Sequence, residues 1–202
     1  MQRIIDMTIQ EQKTVLRKYI KQLKSSLSKE DMEQQSTEIC NLVEQMDEFK
    51  NSNIILLYWA MNDEVNLFKL IEKWYQHKTI LLPCVTNDIL EFRQFTGFDA
   101  LKQGPSFGIP EPTGELFKTI DAIDLAIIPG VAYDINNNRM GRGKAYYDKF
   151  LAHARAFKVG VCFNVQLFEQ VPHDALDIKM DIVISPKASF THEKIIKEII
   201  LN

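Results

Sequence analysis

The chain has 202 residues, 46% of them hydrophobic, with 24 Lys and Arg against 27 Asp and Glu. That is enough apolar chain for one large α/β domain, and a net charge of −3 is too acidic for a dedicated nucleic-acid binder. Three widely spaced cysteines, Cys40, Cys84 and Cys162, without a Cys-x-x-Cys pair, argue against a disulfide framework or a thiolate zinc site and for a reducing cytoplasm.

Thr8 with Glu11 three residues on is a capping box, so a helix is predicted from Ile9, its apolar stripe formed by Leu16, Ile20, Leu23 and Leu27. Lys13, Arg17, Lys21 and Lys24 form a second, cationic stripe at helical spacing. Ser28 with Asp31 opens another capped helix that faces inward through Met32, Ile39, Val43 and Met46. The continuous apolar run 53–59 reads as a strand buried on both faces. Asn66 caps a helix carrying Leu67, Leu70, Ile71 and Trp74. Strands are predicted over 79–83 and, with weak alternation, 89–95. Segment 97–114, punctuated by Gly and Pro, reads as a long loop, a lid or insertion rather than a domain boundary, and 108–114 within it as a turn or, in the sharper reading, a flap over a site. Further strands are predicted over 125–128, 158–163 and 181–185, with helices over 144–154 and after a Thr191 cap. Strands alternating with helices predict a mostly parallel sheet covered on both faces, whose ligands bind beyond the carboxyl ends of the strands. No internal repeat or linker divides residues 1–202, so one domain is expected.

The most informative stretch is 124–151, DLAIIPGVAYDINNNRMGRGKAYYDKFL. An apolar strand ends in Pro-Gly, and a polar loop leads to Arg139, Gly141, Arg142, Gly143 and Lys144 just before a helix. A strand, a glycine-rich cationic loop and a helix N-terminus together make an anion site. Three cations in one loop suit more than one phosphate. The loop lacks the spacing of a Walker loop and of a dinucleotide fingerprint. Gly141 and Gly143 permit close approach, Arg142 supplies a bidentate fork and Lys144 a point charge. Asp148, one turn after Lys144, is placed to hold Mg²⁺ beside a polyphosphate.

With these residues in view, the chain resembles the 5-formyltetrahydrofolate cyclo-ligases, also called 5,10-methenyltetrahydrofolate synthetases. The resemblance runs nearly end to end. It rests above all on 124–151, with Lys13-x-x-x-Arg17, Asn62-Asp63-Glu64, Gly108-Ile109-Pro110-Glu111-Pro112, Gln166, Val171-Pro172, Asp177 and Asp181. It implies a three-layer α/β/α fold akin to sugar-phosphate isomerases and CoA transferases. It also implies ATP- and Mg²⁺-dependent conversion of 5-formyltetrahydrofolate to 5,10-methenyltetrahydrofolate, ADP and phosphate. Carried over by position, ATP would meet Lys13, Arg17, Arg139, Met140, Gly141, Arg142, Gly143, Lys144, Ala145, Tyr146 and Tyr147. The folate would meet Trp59, Glu64, Arg142, Gly143, Lys144, Ala145 and Tyr146. Asp148 and Asp177 match the metal positions, and Arg142 and Lys144 are the catalytic candidates. The family usually has glycine where this chain has Ala145, at a cost on the order of 1 kcal/mol if the position needs a left-handed backbone.

Ordinary readings stand beside these. Lys21 and Lys24 are expected to be solvated charges, and one of Tyr146 and Tyr147 to pack its helix on the sheet. Gln166 is either a pocket residue or a buried structural glutamine. His77, His153, His173 and His192 form no His-x-x-x-His pair, which makes a zinc site improbable. No apolar run approaches the ~20 residues of a membrane span. The first residues lack a signal-peptide core, so a cytoplasmic monomer without nucleic-acid or membrane partners is expected. Two rival functions remain open here. One is a nucleotide- or folate-binding regulator without turnover. The other is a sugar-phosphate isomerase or CoA-transferase relative, which the charge density of the loop disfavours.

Overall fold

A computed structural model describes residues 7–86, 89–104 and 108–186. The chain runs α1 (Ile9–Ser25), α2 (Lys29–Gln45), α3 (Asp47–Asn51), β1 (Ile54–Leu56), α4 (Phe68–Trp74), β2 (Thr79–Thr86), β3 (Ile89–Gln94), β4 (Leu101–Gln103) and β5 (Pro110–Pro112). There follow β6 (Leu125–Ile128), β7 (Ala132–Asp134), β8 (Arg139–Met140), α5 (Tyr146–Leu151), β9 (Phe157–Val161), β10 (Leu167–Phe168) and β11 (Ile182–Ile184). The helix expected after Thr191 lies outside the described residues.

Both capping boxes form. The Thr8 hydroxyl accepts the Glu11 N–H while the Glu11 carboxylate accepts the Thr8 N–H, and Ser28 with Asp31 does the same for α2. The Asn66 side chain accepts the Phe68 N–H at 2.9 Å, which satisfies one orphan donor at the start of α4.

Six strands form one sheet in the order β11-β9-β6-β1-β2-β3, parallel throughout except for β3, which joins β2 antiparallel at the edge. Alternation along the strands sends side chains to two cores. Ile55, Ile80, Leu82, Leu125 and Ile127 pack with Ile39 and Val43 of α2 and Leu70 and Ile71 of α4. Leu56, Leu81, Ala126 and Ile128 pack with Phe150 and Leu151 of α5. Helices therefore cover both faces of the sheet, as such continuously apolar parallel strands require. Each fully buried aliphatic side chain contributes roughly 2 kcal/mol. A third core joins α1 to the β7–β8 hairpin through Leu16, Ile20, Val131 and Met140.

Three expectations need correction. The run 53–59 is strand only over Ile54–Leu56. Leu57 still donates to the Leu81 carbonyl, and the chain then leaves the sheet, which frees Trp59 to reach the site. Segment 97–114 is not simply loop, because β4 and β5 pair within it as an antiparallel ribbon. The polar loop after β6 is a hairpin organised by one carboxylate. Asp134 is fully buried and accepts the backbone N–H groups of Asn136, Asn138 and Val171 and the Asn138 side-chain amide, at 2.8 to 3.1 Å.

Candidate active site

β1 and β6 are neighbours, and the segments that follow them enclose a cavity of about 300 Å³. Trp59 and Glu64 reach it from the segment after β1, and Glu111 from β5. Arg139, Gly141, Arg142 and residues 144–148 line its other side. This is the carboxyl edge of the sheet, where α/β ligands bind.

The cationic loop is held from three directions. Met140 is fully buried against α1, so its side chain packs the core rather than facing a nucleotide. Arg17 Nε donates to the Gly141 carbonyl at 3.0 Å, tying α1 to the loop. Arg139, only 3% exposed, donates to Asp148 at 2.7 Å and to the Pro129 carbonyl at 3.3 Å, with its guanidinium 5.9 Å from the centre of the Tyr147 ring. Its buried Nε has no partner among the described residues. Tyr147 packs toward the α5 core, the structural role expected of one of the two tyrosines, and burial pushes its phenol upward in pKa.

Gly143 has φ of +101°, which only glycine adopts without strain, and Ala145 has φ of +54°. The left-handed Ala145 also delays the helix: α5 begins at Tyr146, not at 144 as the sequence predicts. Alanine here costs on the order of 1 kcal/mol. Ala145→Gly should therefore raise Tm by a few degrees, read by calorimetry; an unchanged or lower Tm would show that the backbone is relaxed with alanine in place.

The charged candidates separate into tied and untied groups. Lys144 is exposed and has no partner among the described residues. Arg142 donates to Asp63 and Glu64. Lys13 is buried and held by Asp174 at 2.9 Å and Asp177 at 2.5 Å. Burial alone would lower its pKa, but the two carboxylates outweigh burial and hold it above the ordinary lysine value. Lys13, Arg17, Met140, Gly143 and Asp177 do not line the cavity, whereas every other predicted site residue does. Of the two residues expected at the metal, Asp148 borders the cavity and pairs with Arg139, and Asp177 lies outside the cavity lining and pairs with Lys13. No group of three His, Cys, Asp or Glu fit for a metal occurs among the described residues.

Lys24 corrects another expectation. It is 5% exposed, not solvated, and donates to the Asp63 carbonyl at 2.8 Å and carboxylate at 2.5 Å. Burial pushes the Asp63 carboxyl up, but Lys24 and Arg142 prevail and hold it below its ordinary value. A depressed carboxylate stabilises the fold above its unfolded pKa, and that contribution fades as pH falls through the folded one. Residue spacing gives no signal for this pair. Gln166 resolves to the structural alternative: it is 2% exposed, and its amide donates to the Gly130 and Val131 carbonyls. Asp181 is also structural, accepting the Lys158 N–H at 2.7 Å. All three cysteines are free and buried, and burial raises Cys40 and Cys84 to about 11.

Fold and loop together define an α/β protein with a cationic, glycine-rich turn at the carboxyl edge of a parallel sheet. Residues 9–186 match the model of the 5-formyltetrahydrofolate cyclo-ligase family, and the chain belongs to that family. A Schizosaccharomyces pombe protein described as a probable 5-formyltetrahydrofolate cyclo-ligase is 32% identical, over 88% of this chain and 95% of its own. The 5-formyltetrahydrofolate cyclo-ligase of Haemophilus influenzae is 30% identical, over 79% of this chain and 89% of its own. The solved 5,10-methenyltetrahydrofolate synthetase of Aquifex aeolicus superposes with a TM-score of 0.79 at 34% identity, covering 87% of this chain and 90% of that one.

Proposed function

We propose that this protein closes the ring of 5-formyltetrahydrofolate at the expense of ATP, giving 5,10-methenyltetrahydrofolate, ADP and phosphate. Family membership over 9–186 supports the activity. The observation that carries the residue roles is the exposed Lys144, without a partner among the described residues, beside Arg142 in a glycine-rich turn at the cavity. The N5-formyl group is an amide, and its oxygen is a poor leaving group. Transfer of the γ-phosphoryl to that oxygen activates the carbon, N10 attacks it, N10 gives up its proton, and phosphate departs. The protein must align the oxygen with the phosphorus and neutralise spreading charge. Lys144 and Arg142 face the transferring phosphoryl group. Trp59 offers a flat apolar surface to the pterin, and Glu64 accepts its N–H donors. Arg17 positions the loop through Gly141, and Arg139 through Asp148.

Mg²⁺ fits as a partner of the phosphates rather than of a protein cage. Asp148 borders the cavity and uses one carboxylate oxygen on Arg139, and Mg²⁺ commonly takes one or two carboxylates with phosphate oxygens and water. When bound, the ion would shield charge between the phosphates. Asp148→Asn should raise the Mg²⁺ concentration for half-maximal rate severalfold; an unchanged metal titration would refute this role. Lys13, ion-paired with Asp177, serves as a strut between α1 and the segment before β11 rather than as a ligand. A single domain, acting in the cytoplasm, completes the reading.

The test is direct. Protein, 5-formyltetrahydrofolate, Mg²⁺ and ATP are mixed, and methenyl-folate absorbance is followed in the near ultraviolet. Product that depends on ATP supports the proposal. Binding of both ligands without turnover would mean a regulator instead, a reading to which the strained Ala145 lends some weight.

A further inference from the structure

Three of the five N–H groups of the Arg142 guanidinium are directed at carboxylates. Its Nη2 donates to Asp63 Oδ1 at 2.7 Å and to Glu64 Oε1 at 3.0 Å, and its Nε donates to the same Glu64 oxygen at 3.2 Å. The other Glu64 oxygen accepts the Met61 N–H at 3.1 Å, which fixes the carboxylate. Asp63 is held from behind by Lys24, whose side chain is 6% exposed, whereas that of Arg142 is 42% exposed. The charges thus run from a buried anchor to an open end. Moving Lys24 would strand a buried charge, at high cost. The Arg142–Asp63 pair is half-exposed on both sides and opens at little cost. The Glu64 side chain is only 8% exposed, so Arg142 leaves it readily only when another donor takes its place, which the pterin N–H groups supply.

The roles of Arg142 and Glu64 compete with the bonds the two make to each other. Pterin N–H donors would compete for a Glu64 oxygen that already accepts two bonds from Arg142. The fork that suits a phosphate is turned onto carboxylates. We propose that Asp63, anchored by Lys24, is a positioning residue that parks Arg142 on Glu64, and that the arriving pterin displaces Arg142 and so releases it to the terminal phosphate. The inference rests on the roles given to Glu64 and Arg142 above. Its consequence is positive, reciprocal coupling between folate and triphosphate binding. It also keeps the phosphate short of one cation until the acceptor oxygen is in place, which limits transfer to water.

The experiment is calorimetric titration of the full chain with adenylyl imidodiphosphate and Mg²⁺, with and without saturating 5-formyltetrahydrofolate. The folate is expected to tighten the analogue roughly 5- to 30-fold. ADP should show little of this, because Arg142 is directed at the terminal phosphate. Arg142→Ala and Arg142→Gln should both abolish the coupling; the amide of Arg142→Gln can still donate to the 8% exposed Glu64 side chain, and a thermal melt checks that each variant is folded. Asp63→Asn should raise analogue affinity without folate and shrink the coupling. Coupling that persists in Arg142→Ala, or is absent from the wild type, overturns the proposal. A wild-type protein that turns over without coupling sinks this inference alone, whereas one that binds no folate sinks the functional reading as well.

Discussion

Replacing Lys144 by alanine is expected to lower kcat by roughly 10²–10³-fold, the loss seen when one preorganised charge-stabilising donor leaves a transition state. The side chain is exposed and has no partner among the described residues, so folding does not use it. Tm should therefore stay within about 2 °C of wild type, as for most surface substitutions. The effect should fall on kcat more than on the KM for ATP, because charge on the phosphoryl oxygens spreads as the transfer proceeds. Steady-state kinetics by methenyl-folate absorbance, paired with a thermal melt, checks both halves. A large drop in Tm with normal kinetics would place Lys144 in the scaffold.

The second large effect is structural. Asp134→Ala should destabilise the protein by about 3–5 kcal/mol and lower Tm by roughly 10 °C. The carboxylate is fully buried and gathers four N–H groups: two from the turn backbone, one from the Asn138 side chain and one from Val171. Alanine would leave the Asn138 and Val171 donors buried without acceptors. Asn would present an amide N–H₂ to groups that are themselves donors, so Asp134→Asn should rescue little. The hairpin carries Arg139 into the site, so activity should fall with stability. Chemical denaturation measures the loss; a change below about 1 kcal/mol would mean that water replaces the carboxylate.

What could be read from the sequence follows the range of the interactions. The capping boxes at Thr8 and Ser28 are legible because all their atoms lie within four residues. Strands β6 and β9 are legible as short apolar runs, and the loop from Arg139 to Asp148 as a local concentration of glycine and positive charge. The partners of these cations are not local. Lys24 meets Asp63, and Lys13 meets Asp174 and Asp177, across separations of 39, 161 and 164 residues. A helix stripe of lysines looks solvated until the fold sets carboxylates against it. Asp134 looks like a turn residue because its turn is local, and only its bond to Val171 shows it to be a hub. Ala145 hides the true start of α5, since a left-handed alanine contradicts its own helix propensity.

The most direct test is a crystal structure of the protein with adenylyl imidodiphosphate and Mg²⁺. The account predicts the three phosphates against the turn from Arg139 to Tyr147, with the Lys144 ammonium on the terminal group. A triphosphate seated elsewhere, with that turn unchanged and Lys144 still in solvent, would contradict it.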